Sequence, residues 1–269
     1  MLLIDDSNYK DFCGDSKTLS KEHRHSGGCE RKFGLRPKPA SYVNKFAAVP
    51  NFQLIPRSEW SKRIASRKQS KQSLKDLLDR YGVKCKDQEE TNYCHANSAV
   101  LAVEICRVVQ GNRYVELSAG SVGGPITNYQ NEGAYIDQDL EQIRRFGAAS
   151  TLFVPPNAIE KKLWKPGAEQ DALDHRVTKW WDMMSKPEGK MFDRCATLLL
   201  QNIPVCVGYY WWGHAVTLID LIEISFGKFG FLFRNSWGSS FGDNGYAVLA
   251  EGRGTPDEAY APWQAIAVN

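Results

Sequence analysis

Between Cys94 and Val109 apolar residues recur at Ala96, Ala99, Val100, Val103 and Cys106, the three-to-four spacing that gives a helix a continuous apolar face. The last third of the chain is patterned differently. Ile203 to Tyr210, His214 to Ile224, Phe229 to Asn235 and Tyr246 to Ala250 are short β-branched or aromatic runs bounded by Gly, Pro or Asn, which predicts an antiparallel sheet. Helices that come first and strands that follow predict an α+β fold of two facing subdomains rather than an alternating α/β one.

Other segments are read on the same grounds. Asp137 to Phe146 reads as a helix stopped by Gly147, and Ser58 to Tyr81 as a basic surface helix with Leu74, Leu77, Leu78 and Tyr81 on one face. Ala172 to Met184 is expected to hold another helix, and 118–135, rich in Gly, Ser and Asn, a long loop. His175, in a charged stretch, is expected at the surface. Residues 1–53 are polar, with no sustained period, and read as an extended basic N-terminal arm before a domain of residues 54–269. Residues 1–80 hold 17 Lys/Arg against 9 Asp/Glu, whereas the remainder holds 17 against 22. With a net charge of only +3, nucleic acid is not the expected partner, and the basic arm points to a protein partner instead. No apolar run reaches the roughly 18 residues that cross a bilayer, so no membrane partner is expected. Met1-Leu2-Leu3-Ile4, followed at once by Asp5 and Asp6, does not read as a signal peptide.

Seven cysteines, an odd number without a secretion signal, do not read as a disulfide framework and favour a reducing intracellular compartment. Cys85, Cys106, Cys195 and Cys206 lie in apolar or strand contexts and read as inert. In the arm, Cys13, His23, His25 and Cys29 supply two thiolates and two imidazoles that could close a structural zinc site, although their spacing matches no standard finger. The rival reading is an arm ordered by a partner. Cys94 stands apart, because it begins the helical stripe, where the partial positive charge of a helix N-terminus favours a thiolate. A base could come from His214 after the turn-prone Gly213, and Asn235, which ends the next strand-like run, could hold the imidazole in the right tautomer. Pairing of those two strands through a turn near Phe226 to Lys228 would bring His214 and Asn235 together.

These residues resemble a known family. Asn235-Ser236-Trp237-Gly238, continuing through Ser239-Ser240-Phe241-Gly242-Asp243-Asn244-Gly245-Tyr246, is similar to the papain-family segment around the catalytic asparagine. Gly213-His214-Ala215-Val216 resembles the segment around its histidine, and Lys86-Asp87-Gln88 followed by Cys94 and Ser98-Ala99-Val100 resembles the nucleophile region. Ile55-Pro56 and Trp60 look like the start of the mature family domain, so the resemblance spans about residues 54–251. It implies a papain-like two-subdomain fold, with Cys94, His214 and Asn235 as the triad and Gln88 as oxyanion-hole donor. It also implies Trp237 as the shield of the His214–Asn235 contact, and a substrate-binding loop at Asn131 to Tyr135 in which Asn131 and Gly133 meet the substrate beside an apolar pocket. Where the family shows Cys-Gly-Ser-Cys-Trp, this chain has Thr91-Asn92-Tyr93-Cys94-His95, and residues 1–53 lack the long helical inhibitory propeptide.

The implied activity is hydrolysis of protein or peptide substrates through a thioester, with no organic cofactor. Two rivals remain. One is thiol chemistry of another kind, either amide transfer or cell-wall peptide cleavage. The other is a papain-fold interaction component of a larger assembly, such as a virus particle, docked through its arm.

Overall fold

The computed structural model describes residues 1–13, 32–39, 41–42, 44, 46–186 and 188–266. Its longer helices are α1 (Trp60–Ser70), α2 (Leu74–Tyr81), α3 (Cys94–Val109), α4 (Gly120–Ile126), α5 (Ile136–Phe146), α6 (Ala168–Leu173) and α7 (Met191–Leu199). Its strands are β1 (Leu3–Ile4), β2 (Val177–Asp182), β3 (Val205–Tyr209), β4 (His214–Ser225), β5 (Lys228–Arg234), β6 (Tyr246–Ala250) and β7 (Glu258–Ala265), in one seven-stranded sheet of order β1-β6-β5-β4-β3-β7-β2. Neighbours are antiparallel except β1 and β6. The expected α+β class and the four expected strands are present.

Side chains along a strand point alternately to opposite faces, and β3 and β4 are apolar on both. Val205, Val207 and Tyr209 with Val216 and Leu218 join one core with Trp60, Leu74, Phe192 and Phe231, while Cys206 and Ala215 join a second with Leu140 and Tyr260. Helix α3 feeds both cores, through Leu101 and Ile105 on one side and Val100 and Val103 on the other. Fifteen of its sixteen residues are therefore buried, well beyond the single face that its stripe predicts.

A helix buried all round must satisfy its polar side chains internally. His95 Nδ1 lies 2.8 Å from Asp139 Oδ2 on α5, Ser98 Oγ donates to the Val216 carbonyl on β4 at 2.7 Å, and Glu104 Oε1 takes the Lys86 ammonium at 2.5 Å. Arg107 donates to the Asp174 carbonyl at 2.9 Å. Each contact ties a different segment to α3.

Four expectations are corrected. The basic stretch before Tyr81 is two helices, because Lys71 takes a left-handed conformation (φ 53°) and Ser73 starts a new helix through a capping box with Asp76. The stretch 118–135 holds α4, a helix its Gly-rich sequence disfavours; a Cβ at Gly120 would meet the Ala158 backbone nitrogen at 2.4 Å, so close packing accounts for the glycine. Within Ala172 to Met184, helix α6 ends at Leu173 and Val177–Asp182 pairs with β7, which places Trp180 in the second core. His175 is buried. The sequence reading did not find β1, α7 or β7. Strand β1 is only two residues long and β7 carries Pro262 and Glu258, so neither displays a clean alternation.

Asp139 and His95 are both fully buried, and burial raises the Asp139 carboxyl while the imidazole pulls it down. Asp139→Ala leaves the imidazole in a dry site without its carboxylate. It is expected to cost about 3–5 kcal/mol, read as a lower urea midpoint at unchanged slope. A loss below about 1 kcal/mol would assign the pair the weight of a surface contact.

Candidate active site

The segment before α3 is stitched to the segment after β5. Lys86 Nζ, paired with Glu104, also donates to the Leu117 carbonyl at 2.9 Å, which holds the strand of chain leading to Gln88. The Gln88 backbone N–H donates to the Ser236 carbonyl at 2.7 Å, and Ser236 Oγ donates to Gln88 Oε1 at 2.7 Å. With Oε1 engaged, the Gln88 amide orientation is set and Nε2 points its protons at the Thr91 carbonyl (2.8 Å) and the Lys32 carbonyl (2.9 Å).

His214 opens β4, and Asn235 directly follows β5; the register Thr217 against Arg234 puts these ends side by side. His214 Nε2 and Asn235 Oδ1 are 2.7 Å apart. The same Oδ1 accepts the Ser236 backbone N–H at 2.8 Å, which identifies it as the carbonyl oxygen, so Nε2 carries a proton and donates it. In the neutral ring, Nδ1 is then the basic nitrogen. Trp237 and Trp212 lie against the imidazole, with ring centroids 4.8 and 4.9 Å away. The Ala215 backbone amide, adjacent to His214, favours the anion of the Cys94 sulfur. Cys94, His214, Asn235, Gln88 and Trp237 thus come from distant parts of the chain to one place.

The cleft they line is filled by the chain itself. The Gly34 N–H donates to Cys94 Sγ at 3.3 Å, and the Leu35 N–H donates to the Gly213 carbonyl at 3.3 Å. Leu35 pairs in parallel with Ala134: the Ala134 N–H donates to the Gly34 carbonyl at 3.1 Å, and the Arg36 N–H donates to the Ala134 carbonyl at 3.3 Å. Phe33 stands edge-on to His214 and Trp237 at centroid distances of 6.0 and 5.9 Å. Gly133 lies against this segment so closely that a Cβ there would meet the Gly34 carbonyl oxygen at 2.1 Å. Asn131 faces the loop before the thiol, accepting the Asn92 N–H at 2.7 Å and donating to the Glu90 carbonyl at 3.2 Å.

Covered in this way Cys94 is fully buried, and loss of water pushes its thiol up to about 11 despite the Ala215, Gly34 and His95 amides that favour the anion. Below that value the resting thiol is protonated. Alkylation by iodoacetamide should therefore be slow at neutral pH and rise with pH toward 11. A Cβ at Gly34 would lie 1.6 Å from the Asn92 carbonyl oxygen, so Gly34→Ala cannot keep the segment seated. Cys94 in that variant should label at least about a hundredfold faster at pH 7, given one decade of thiolate per pH unit. Equal rates in the two proteins would mean that the segment does not cover the thiol in solution.

Of the proposed zinc set, His23, His25 and Cys29 lie outside the described residues, and the Cys13 thiol donates to the Trp211 carbonyl at 3.3 Å. Among the described residues no helix is long and apolar enough to cross a membrane. The site residues that sequence reasoning missed are Lys32 to Lys38, the Gly213 carbonyl and Asp139. Nothing in a short basic stretch around one glycine signals that it lies on a thiol.

No protein-family model matches the chain. Solved structures do resemble it. Digestive procathepsin L 3 of the Tenebrio molitor larval midgut superposes with a TM-score of 0.56 at 21% identity, covering 66% of this chain and 66% of its own. The bromelain protease of Ananas comosus gives 0.57 at 22% identity, covering 71% and 96%, and xylellain, a cysteine protease of Xylella fastidiosa, gives 0.55 at 17%, covering 69% and 83%. The chain thus has the papain-like fold.

Proposed function

We propose that the protein is a papain-type cysteine peptidase held latent by its own residues 32–39. One observation carries the reading. Two of the groups that a peptide substrate would use are engaged by a main chain: Gln88 Nε2 with the Lys32 carbonyl and Cys94 Sγ with the Gly34 N–H, beside a histidine fixed by Asn235.

With the cleft open, His214 Nδ1 takes the Cys94 proton, and the thiolate attacks the carbonyl carbon of the scissile peptide. The oxygen that gains charge accepts hydrogen bonds from Gln88 Nε2 and the Cys94 backbone N–H. The His214 imidazolium gives its proton to the leaving nitrogen, the C–N bond breaks, and a thioester remains. His214 then takes a proton from water, the hydroxide adds to the thioester, and collapse releases the acid and restores the thiol. Asn235 holds the imidazole in the tautomer that both steps need, and Trp237 protects that bond from water.

The test uses the full chain. Gly34→Ala is expected to hydrolyse peptides far faster than the wild type, and adding Cys94→Ala should abolish this. Adding Gln88→Ala should lower kcat by about 10²–10³ while the circular dichroism spectrum stays that of the folded protein. If Gly34→Ala exposes a rapidly alkylated Cys94 and still cleaves no peptide, the peptidase reading fails. Appearance of an amide product with an added amine would instead assign group transfer.

A further inference from the structure

Lys38, four residues beyond the glycine on the thiol, is enclosed by the domain. Its ammonium is 2.6 Å from Asp137 Oδ1 and 3.3 Å from Glu258 Oε2, and it donates to the Tyr260 hydroxyl. It stands 4.6 Å above the Tyr260 ring and 5.7 Å from the Tyr135 ring, with Tyr42 of its own segment 4.5 Å away on a further side. The Asp137 and Glu258 side chains are 3% and 1% exposed. We propose that this cage is a substrate pocket for a lysine or arginine side chain, occupied in the latent form by Lys38. The proposal rests on the peptidase reading and adds a substrate class to it, peptides with a basic residue.

Four features support a pocket rather than a casual ion pair. Asp137, Tyr135, Glu258 and Tyr260 belong to the start of α5 and to β7, not to the segment in the cleft, so they remain when that segment leaves. Two buried carboxylates facing one space are costly without a cation between them, so the emptied cage favours a cationic side chain or, with the Glu258 carboxyl pushed up by burial, a proton. Aromatic faces add attraction for that same charge. Finally, Glu258 Oε1 is buried and receives no hydrogen bond among the described residues. A single ammonium leaves it unused, whereas a guanidinium, with five donors in a fork, can reach both oxygens.

Gly208 makes the room. A Cβ at that position would be 2.8 Å from Glu258 Oε1 and 2.8 Å from Leu35 Cδ2. The bare backbone therefore admits both the carboxylate and the aliphatic side chain that precedes Lys38 in the cleft. A bound peptide is thus offered an apolar hollow, filled by Leu35, and an acidic one, filled by Lys38.

Two measurements on the full chain decide this. In the Gly34→Ala protein, a panel of peptides carrying Lys, Arg, Leu or Glu at each position in turn should show one position at which Lys or Arg raises kcat/KM over Leu by at least about tenfold. Adding Glu258→Gln should collapse that ratio. A panel with no basic preference, or a ratio unmoved by Glu258→Gln, overturns the proposal. The second measurement needs no catalysis. Lys38→Ala deletes three carbons and the ammonium, so n-propylammonium is the missing fragment. It should raise the Tm of Lys38→Ala saturably where n-propanol does not, and Lys38→Ala/Glu258→Gln should lose the effect. No saturable rise, or an equal one with n-propanol, overturns the cage. If no peptide is cleaved but n-propylammonium binds, the peptidase reading fails while the cage stands as a site for basic side chains.

Discussion

The near-complete burial of α3 sets the positions of the candidate catalytic groups. A helix with water on one side can leave its polar side chains to solvent, but this one cannot, and each polar group on it became a fastening. His95 holds α5 through Asp139, Ser98 holds β4 behind the histidine, and Glu104 holds Lys86 and thereby the approach to Gln88. The helix that presents Cys94 is thus also the part that sets the positions of the other candidate catalytic groups. Its fastenings reach the segments carrying those groups rather than the groups themselves, so they position and do not react.

Residues 32–39 meet Cys94, Gln88, Gly213 and Ala134 through backbone groups, while Phe33, Leu35 and Lys38 supply side-chain contacts. The segment is tied down beyond the cleft as well, where Ala48 bridges Trp181 and, earlier in the chain, Leu3 and Ile4 join the sheet beside β6. A tethered occupant has a high effective concentration, so modest contacts suffice to keep the cleft filled. The segment runs parallel to Ala134.

What could be read from the chain divides along physical lines. Wherever burial on one face or tight turns dominate, the residues advertise the structure: α3, α5, and strands β3 to β6 all stood out by period and by bounding Gly, Pro or Asn. Cys94, His214 and Asn235 could be picked out as candidates for a related reason, since each sits at or beside the end of such an element, whereas Gln88 came only from the family resemblance. Helix α4, strands β2 and β7 and the two-residue β1 were not legible. Their conformations come from partners far away in sequence, as when the backbone of Ala158 admits Gly120 or β7 receives Trp180 and Trp181.

The sequence by itself determined the class of fold and the residue types that make a thiol nucleophile, because periodicity and residue chemistry are local properties. Only the tertiary structure decided what fills the cleft and what state the thiol rests in. Covering Cys94 depends on long-range hydrogen bonds from backbone amides that every residue except proline possesses, and the bare Cα of Gly34 that lets the segment seat is meaningful only beside the distant Asn92 carbonyl. The acidic cage is of the same kind: Lys38, Asp137 and Glu258 are each ordinary charged residues in the chain, and only folding removes the water that would otherwise separate them.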